Sequence, residues 1–263
     1  MGDHNTIQWP PKCDLFGVQV SCTTYGEALE TVAQAVRAGV PALVAHLPVH
    51  GLMTAVGDRS FREKVNAFDI VAPDGQPVRW ALNRLHRAGL SDRVYGPEFV
   101  LRLCERAARD GFGVYLYGSR PDVVGRLKAA LEECFPTLRV VGHEAPPFRR
   151  LTAEEDAAAV ERMNRSGAAV VFVGLGCPKQ ETFAYEHRDR IRAVQVCVGA
   201  AFEFYSGHKA MAPRWMQQRG LEWLHRLLQE PRRLGWRYLW SNTAFLCLLA
   251  ARLLTGPRAA RPR

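Results

Sequence analysis

No stretch of the 263 residues reaches the roughly 20 apolar positions that a membrane-spanning helix needs; the cleanest apolar run, Ala244 to Ala251, falls well short. No basic-then-apolar leader opens the chain. Met1 to Pro11 is polar and ends in Trp9-Pro10-Pro11, which predicts a protein that stays in the cytoplasm. The seven cysteines, at 13, 22, 104, 134, 177, 197 and 247, include no C-x-x-C pair and are odd in number, so reduced thiols are expected rather than disulfides or a zinc site. No Asp-x-Asp pair offers two carboxylates to a divalent cation. Neither an internal repeat nor a low-complexity linker is visible, which argues against a solenoid or a string of tethered modules.

What is present is an ordinary globular composition, 48% apolar and 23% charged. The length suits one large domain, or a medium one with an appendage. The charge is uneven. From Arg214 onward ten arginines face only Glu222 and Glu230, so eight of the nine net positive charges lie in that segment. A cationic tail on a near-neutral body points to an anionic partner: nucleic acid, a membrane surface or a phosphorylated substrate. Within the tail, Trp236 to Leu254 is rich in aromatic and apolar residues but is interrupted by Arg237, Ser241, Asn242 and Arg252. That pattern predicts an amphipathic segment lying in a membrane interface, with a helix packed on the body's own core as the competing reading.

In the body, apolar β-rich runs alternate with helical patterns. Strands are predicted at Ala42–Ala45, Asp69–Ala72, Gly113–Tyr117, Leu138–Val141, Ala168–Val173 and Val194–Val198. Thr24-x-x-Glu27 and Thr152-x-x-Glu155 fit the capping box that opens a helix. Pro97 and Pro121 suit the first turns of helices ending near Gly111 and Pro136. The alternation predicts an α/β fold, Rossmann-like, with a mostly parallel sheet and helices on both faces.

Four strand ends then carry similar loops: Pro73-Asp-Gly-Gln-Pro77, Gly118-Ser-Arg-Pro121, Gly176-Cys-Pro-Lys-Gln-Glu181 and Gly199-Ala-Ala-Phe-Glu203. In a parallel sheet all four lie along the carboxyl edge, where ligands bind. Glycine there permits close approach of backbone amides, and a helix starting just beyond offers free N–H groups to a phosphate. For any one loop, turning the chain is reason enough for Gly and Pro; Pro-Asp-Gly is itself a strong turn signal. Four together, with lone carboxylates among them, argue for a site.

The chain resembles the WecG/TagA/CpsF family of bacterial glycosyltransferases from about Val18 to Leu246. The blocks that carry the resemblance are Ala72-Pro-Asp-Gly-Gln-Pro-Val-Arg-Trp80, Arg93-Val-Tyr-Gly-Pro97, Val114-Tyr-Leu-Tyr-Gly118, Gly174-Leu-Gly-Cys-Pro-Lys-Gln-Glu181, Gly199-Ala-Ala-Phe-Glu-Phe204 and the long run from Ala212 to Leu234. The resemblance implies an inverting, metal-independent enzyme without a cofactor that moves a sugar from a UDP donor to a polyprenyl-diphosphate-linked acceptor. Such enzymes serve the building of cell-surface polysaccharide on the inner face of the cell membrane. It implies Asp74 as the catalytic base, with Gly75 and Gln76 beside it. It implies Gly118, Gly176, Lys179, Gln180 and Glu181 around the nucleotide sugar, and Glu203 on a sugar hydroxyl. Arginines suit the diphosphate because a guanidinium grips phosphate oxygens in a two-pronged way; the candidates are Arg219, Arg226, Arg232 and Arg233.

The expected division is a catalytic body, residues 1–208, and a basic helical appendage, residues 209–263, that completes the site and touches an anionic membrane; a chain ending near Lys209 is expected to stay folded. Self-association is left open. A nucleic-acid-binding module on a Rossmann-like scaffold is the rival reading, since it uses the basic tail with its interleaved aromatics. It leaves Asp74 and the Pro-Lys-Gln-Glu loop without a role, so nucleic acid is not the expected partner. One departure from the family pattern stands at Ala45-His-Leu-Pro-Val-His50, where relatives usually carry a Thr and an Asn; His46 and Pro48 replace the polar pair.

Overall fold

The computed structural model describes residues 7–255, apart from the side chain of Arg233; Arg258, Arg261 and Arg263 lie outside the described residues. All six predicted strands form, with ends shifted by at most three residues: β3 Leu43–Leu47, β4 Ile70–Pro73, β5 Gly113–Gly118, β6 Arg139–Glu144, β7 Val170–Gly174 and β8 Val194–Cys197. They make one all-parallel sheet in the order β4-β3-β8-β7-β5-β6. Runs such as Val170-Val-Phe-Val173 are apolar at every position because both faces of a parallel sheet are covered. Alternate residues feed two cores: Val171 and Val173 point into one, Val170 and Phe172 into the other. The fold is the α/β, Rossmann-like one that the alternation predicts.

Helix ends follow the local chemistry. Both capping boxes close, at the starts of α1 (Tyr25–Ala38) and α7 (Ala153–Arg165). Pro97 and Pro121 sit in the first turns of α5 (Gly96–Asp110) and α6 (Pro121–Cys134). The sequence reading misses an antiparallel hairpin, β1 (Lys12–Leu15) with β2 (Val18–Ser21). Its tight turn takes Phe16 and Gly17 to φ of 61° and 89°, the left-handed pair that suits strand twist. Four-residue strands are too short to show a period against their flanks.

The C-terminal segment forms α10 (Arg214–Gln218), α11 (Glu222–Gln229) and α12 (Pro231–Thr255). One face of α12 packs on α2 (Val49–Gly57) and α4 (Gln76–His86). Phe245 is buried there, its ring edge-on to Phe16 at 5.9 Å, and Leu234 and Tyr238 are buried too. The outward face leaves Trp236, Leu239, Trp240, Leu246 and Leu254 exposed. Among the described residues no helix is long and apolar enough to cross a membrane.

Candidate active site

The ends of β3, β4, β5, β7 and β8, the segment 146–151 beyond β6, and residues of α11 and α12 enclose a cleft of about 960 Å³. All four predicted loops contribute to it, so the parallel register has gathered them along one edge. Three helices begin there: α4 after Gly75, α6 after Arg120 and α8 (Lys179–Glu186) after Pro178. None has a side-chain cap, but few first-turn amides are free: Pro77 and Pro121 carry none, and those of Val123 and Gln180 already donate to the Arg120 and Gly176 carbonyls.

Asp74 follows β4 and lines the cleft. It is half-buried by surface area but walled in by protein, and this desolvation pushes its carboxyl up to about 7, against the opposing pull of Arg93; Glu222 adds to the rise, and Arg226 and the Gly96 amide oppose it. A carboxyl poised near neutrality can take a proton and release it. Arg93 and Glu222 form a buried ion pair across 129 positions of sequence, and Arg93 also covers the Tyr95 ring at 4.3 Å. Behind Asp74, His46 on β3 lies against the same glycine, Gly96. Its Nδ1 donates to the Cys197 carbonyl at 3.2 Å, which fixes the tautomer and leaves Nε2 an acceptor without a partner. Burial draws its pKa down to about 4, so the ring stays neutral.

The Pro-Lys-Gln-Glu loop divides its labour. Lys179 is exposed at the rim and Gly176 lines the cleft. Gln180 lines it too, but its amide is spent on the loop itself: Oε1 accepts from the Gly176 amide at 3.1 Å and Nε2 donates to Glu181 at 2.9 Å. Glu181 is buried and is not among the lining residues. Burial pushes its carboxyl up to about 6, and hydrogen bonds from Gln180 and the Cys177 thiol oppose that rise. Gly118 also sits behind the surface; a Cβ on it would come within 2.5 Å of the Gly174 backbone, so glycine lets β5 and β7 close together at the cleft floor.

Gly75, Gln76, Glu203 and Arg226 line the cleft with Asp74. Gln76 donates to Asp92 at 3.1 Å and packs against Gly220, where a Cβ would come within 3.2 Å of the Gln76 side chain and φ is 71°. Glu203 receives Lys209 Nζ at 2.5 Å, and the same lysine reaches Glu230 at 3.2 Å. Arg219 and Arg232 are exposed and lie outside the lining set, and the Arg233 side chain is outside those described. Sequence reasoning did not single out Arg93, Glu222, Arg237 or Asn242. Arg93 and Glu222 stand in blocks that carry the family resemblance, and that was the signal available for them. The family model described as glycosyl transferase WecG/TagA/CpsF matches residues 13–259, nearly the whole chain. The blocks that build the cleft are spread along that span, and the chain belongs to the WecG/TagA/CpsF family of glycosyltransferases.

Proposed function

We propose that the protein transfers a sugar, with inversion, from a UDP-sugar to a hydroxyl of a polyprenyl-diphosphate-linked acceptor, with Asp74 as general base and with no metal taking part. The observation that carries the reading is the setting of Asp74: a cleft carboxyl near neutral pKa, flanked by Arg93 and Arg226. In the step, the acceptor oxygen forms a bond to the anomeric carbon as the bond from that carbon to the UDP oxygen breaks. The acceptor proton passes to Asp74, and the departing electron pair stays on UDP.

The donor diphosphate fits the edge formed by β5 and β7. Ser119, Arg120, Gly176 and Lys179 line it, two of them cationic. Arg226, close enough to Asp74 to act on it, is placed to offset charge as UDP departs. The exposed tryptophans and leucines of α12, next to the tail's arginines, suit contact with an anionic bilayer on the cytoplasmic side.

A panel of UDP-sugars with a polyprenyl-diphosphate-linked acceptor, scored by UDP release and by the anomeric configuration of the product, tests the reading. Acceptor-dependent release with inversion is expected. Retention, or transfer only with a divalent cation, would overturn the mechanism; no transfer with any UDP-sugar would overturn the donor class.

A further inference from the structure

The β1–β2 hairpin carries two of the seven cysteines. Cys13 stands opposite Val20 in the ladder and Cys22 lies two residues further on, so the pleat turns both side chains to the same face. The Cys22 amide donates to the Pro11 carbonyl at 2.8 Å and carries the ladder one pair past the end of β2. Main-chain pairing therefore holds both residues, and their sulfurs, both free thiols, lie 2.7 Å apart. That is about 0.7 Å more than a disulfide bond length. Neither thiol is sealed in a core as Cys104 and Cys197 are; both are half-buried, within reach of a small oxidant.

Burial, and then the contact with Cys13, push the Cys22 thiol up to about 12. In the reduced pair Cys22 keeps its proton and is hydrogen-bonded to Cys13. The share of that rise that comes from Cys13 ends once the Cys13 sulfur is bonded to another sulfur, which frees Cys22 to ionise.

The hairpin lies against β4, the strand at that edge of the sheet and the one that leads into Asp74. Ser21, next to Cys22, accepts from the Val71 amide of β4 at 3.0 Å, and Lys12, next to Cys13, donates to the Phe68 carbonyl just before β4. Phe16 at the turn meets Phe245 of α12. Two strands of four residues are marginal by themselves, so a covalent link between them has a large effect on what they hold.

We infer that Cys13 and Cys22 are a redox modification site: a dithiol that a low-molecular-weight disulfide such as oxidised glutathione converts to an intrachain bridge, fastening the hairpin to itself. The Cys13 thiolate attacks one sulfur of glutathione disulfide and a glutathione thiolate leaves. The Cys22 sulfur, giving up its proton, then attacks the Cys13 sulfur and expels the second glutathione thiolate. Two protein thiols are oxidised, one disulfide is reduced to two thiols, and the two protons pass to them. Nothing in this step depends on the transferase reading.

The test incubates the full chain with glutathione disulfide, alkylates the remaining thiols and maps the peptides by mass. A link between Cys13 and Cys22, with loss of two hydrogens and reversal by dithiothreitol, is expected. Closing a loop of that size should raise the melting temperature by roughly 5–10 °C. The melts are made in a Cys134→Ser, Cys247→Ser background, so that adducts at those exposed thiols do not contribute. Adding Cys13→Ser or Cys22→Ser should abolish both the link and the rise, while melting in reductant stays within a few degrees of the parent. Glutathione retained on Cys13 or Cys22 without a link, links between other cysteines only, or a linked protein that melts no higher than the reduced one would each overturn the site. The peptide map of the wild type decides it even where a serine variant fails to fold.

Discussion

Asp74 and Glu181 invite comparison. Both are carboxylates just past the end of a buried parallel strand, both belong to short motifs with glycine and proline, and burial raises both, to about 7 and about 6. Their neighbours differ. Asp74 faces a cleft with two guanidinia and an opposing carboxylate, all from other parts of the chain. Glu181 faces a thiol and an amide within four residues of itself, and the outcome of its hydrogen bonds is the shape of a loop. A raised carboxyl at a strand end is therefore not enough to identify a base. What separates the two is whether distant charges have been brought to a place that a ligand can enter.

The largest effect that would break or uphold this contrast is on turnover. Asp74→Asn should lower it by roughly 10²- to 10⁴-fold, the scale of a lost general base, with UDP binding kept. In the wild type, turnover should fall as pH drops through about 7, because protonated Asp74 cannot accept the hydroxyl proton. Stability runs the other way. A carboxyl raised above its unfolded value binds more protons in the folded state, so the native protein loses stability as pH rises from about 4 to about 7. Asp74→Asn removes that loss, and its melting temperature should gain on the wild type across that window. Thermal melts from pH 4 to 8 beside a pH–rate profile check both; a flat rate profile would remove Asp74 as the base.

Next in size is removal of the appendage, which strips partners from Asp74 but leaves those of Glu181. A chain ending near Lys209 loses Glu222 and Arg226, and also Leu234, Tyr238 and Phe245 from the face that α12 buries. The expectation that it stays folded gives way here, because burying one phenylalanine alone is worth about 1.5–3 kcal/mol and its loss bares Phe16 and α2 as well. Lower melting temperature and loss of activity should appear together. Phe245→Ala should reproduce the first while Asp74 keeps its partners.

These differences trace what was legible in the chain. The strands, the capping boxes and the four loops were readable because each is set by a few consecutive residues. The wall around Asp74 was not. Arg93 and Glu222 are 129 positions apart, and nothing in their resemblance blocks pairs them with each other or sets them around Asp74. The orientation of Glu181 was hidden for the opposite reason: a local motif does not say which of its side chains will be spent on the motif itself. The tail read as one amphipathic unit, whereas α12 presents a core face and an exposed face whose division depends on α2 and α4 lying beneath it.

The smallest expected effect sharpens the contrast most, because it asks Glu181 to behave unlike Asp74 under the same change. Glu181→Gln keeps size and hydrogen-bonding capacity. One oxygen of Glu181 accepts from Gln180, so an amide can serve by turning its oxygen to that donor. Turnover should stay within about threefold of wild type, against the hundredfold or more at Asp74. Glu181→Ala and Gln180→Ala instead leave buried groups unpaired at a cost of about 1–3 kcal/mol, and they release the turn that Gln180 pins at the Gly176 amide. For those two, donor KM should rise several-fold while the melting temperature falls by a few degrees, with kcat the least changed. Steady-state kinetics and thermal melts on the three variants decide it. A Glu181→Gln enzyme as slow as Asp74→Asn would mean that Glu181 acts on the reacting atoms and that its burial belongs to the unliganded cleft alone.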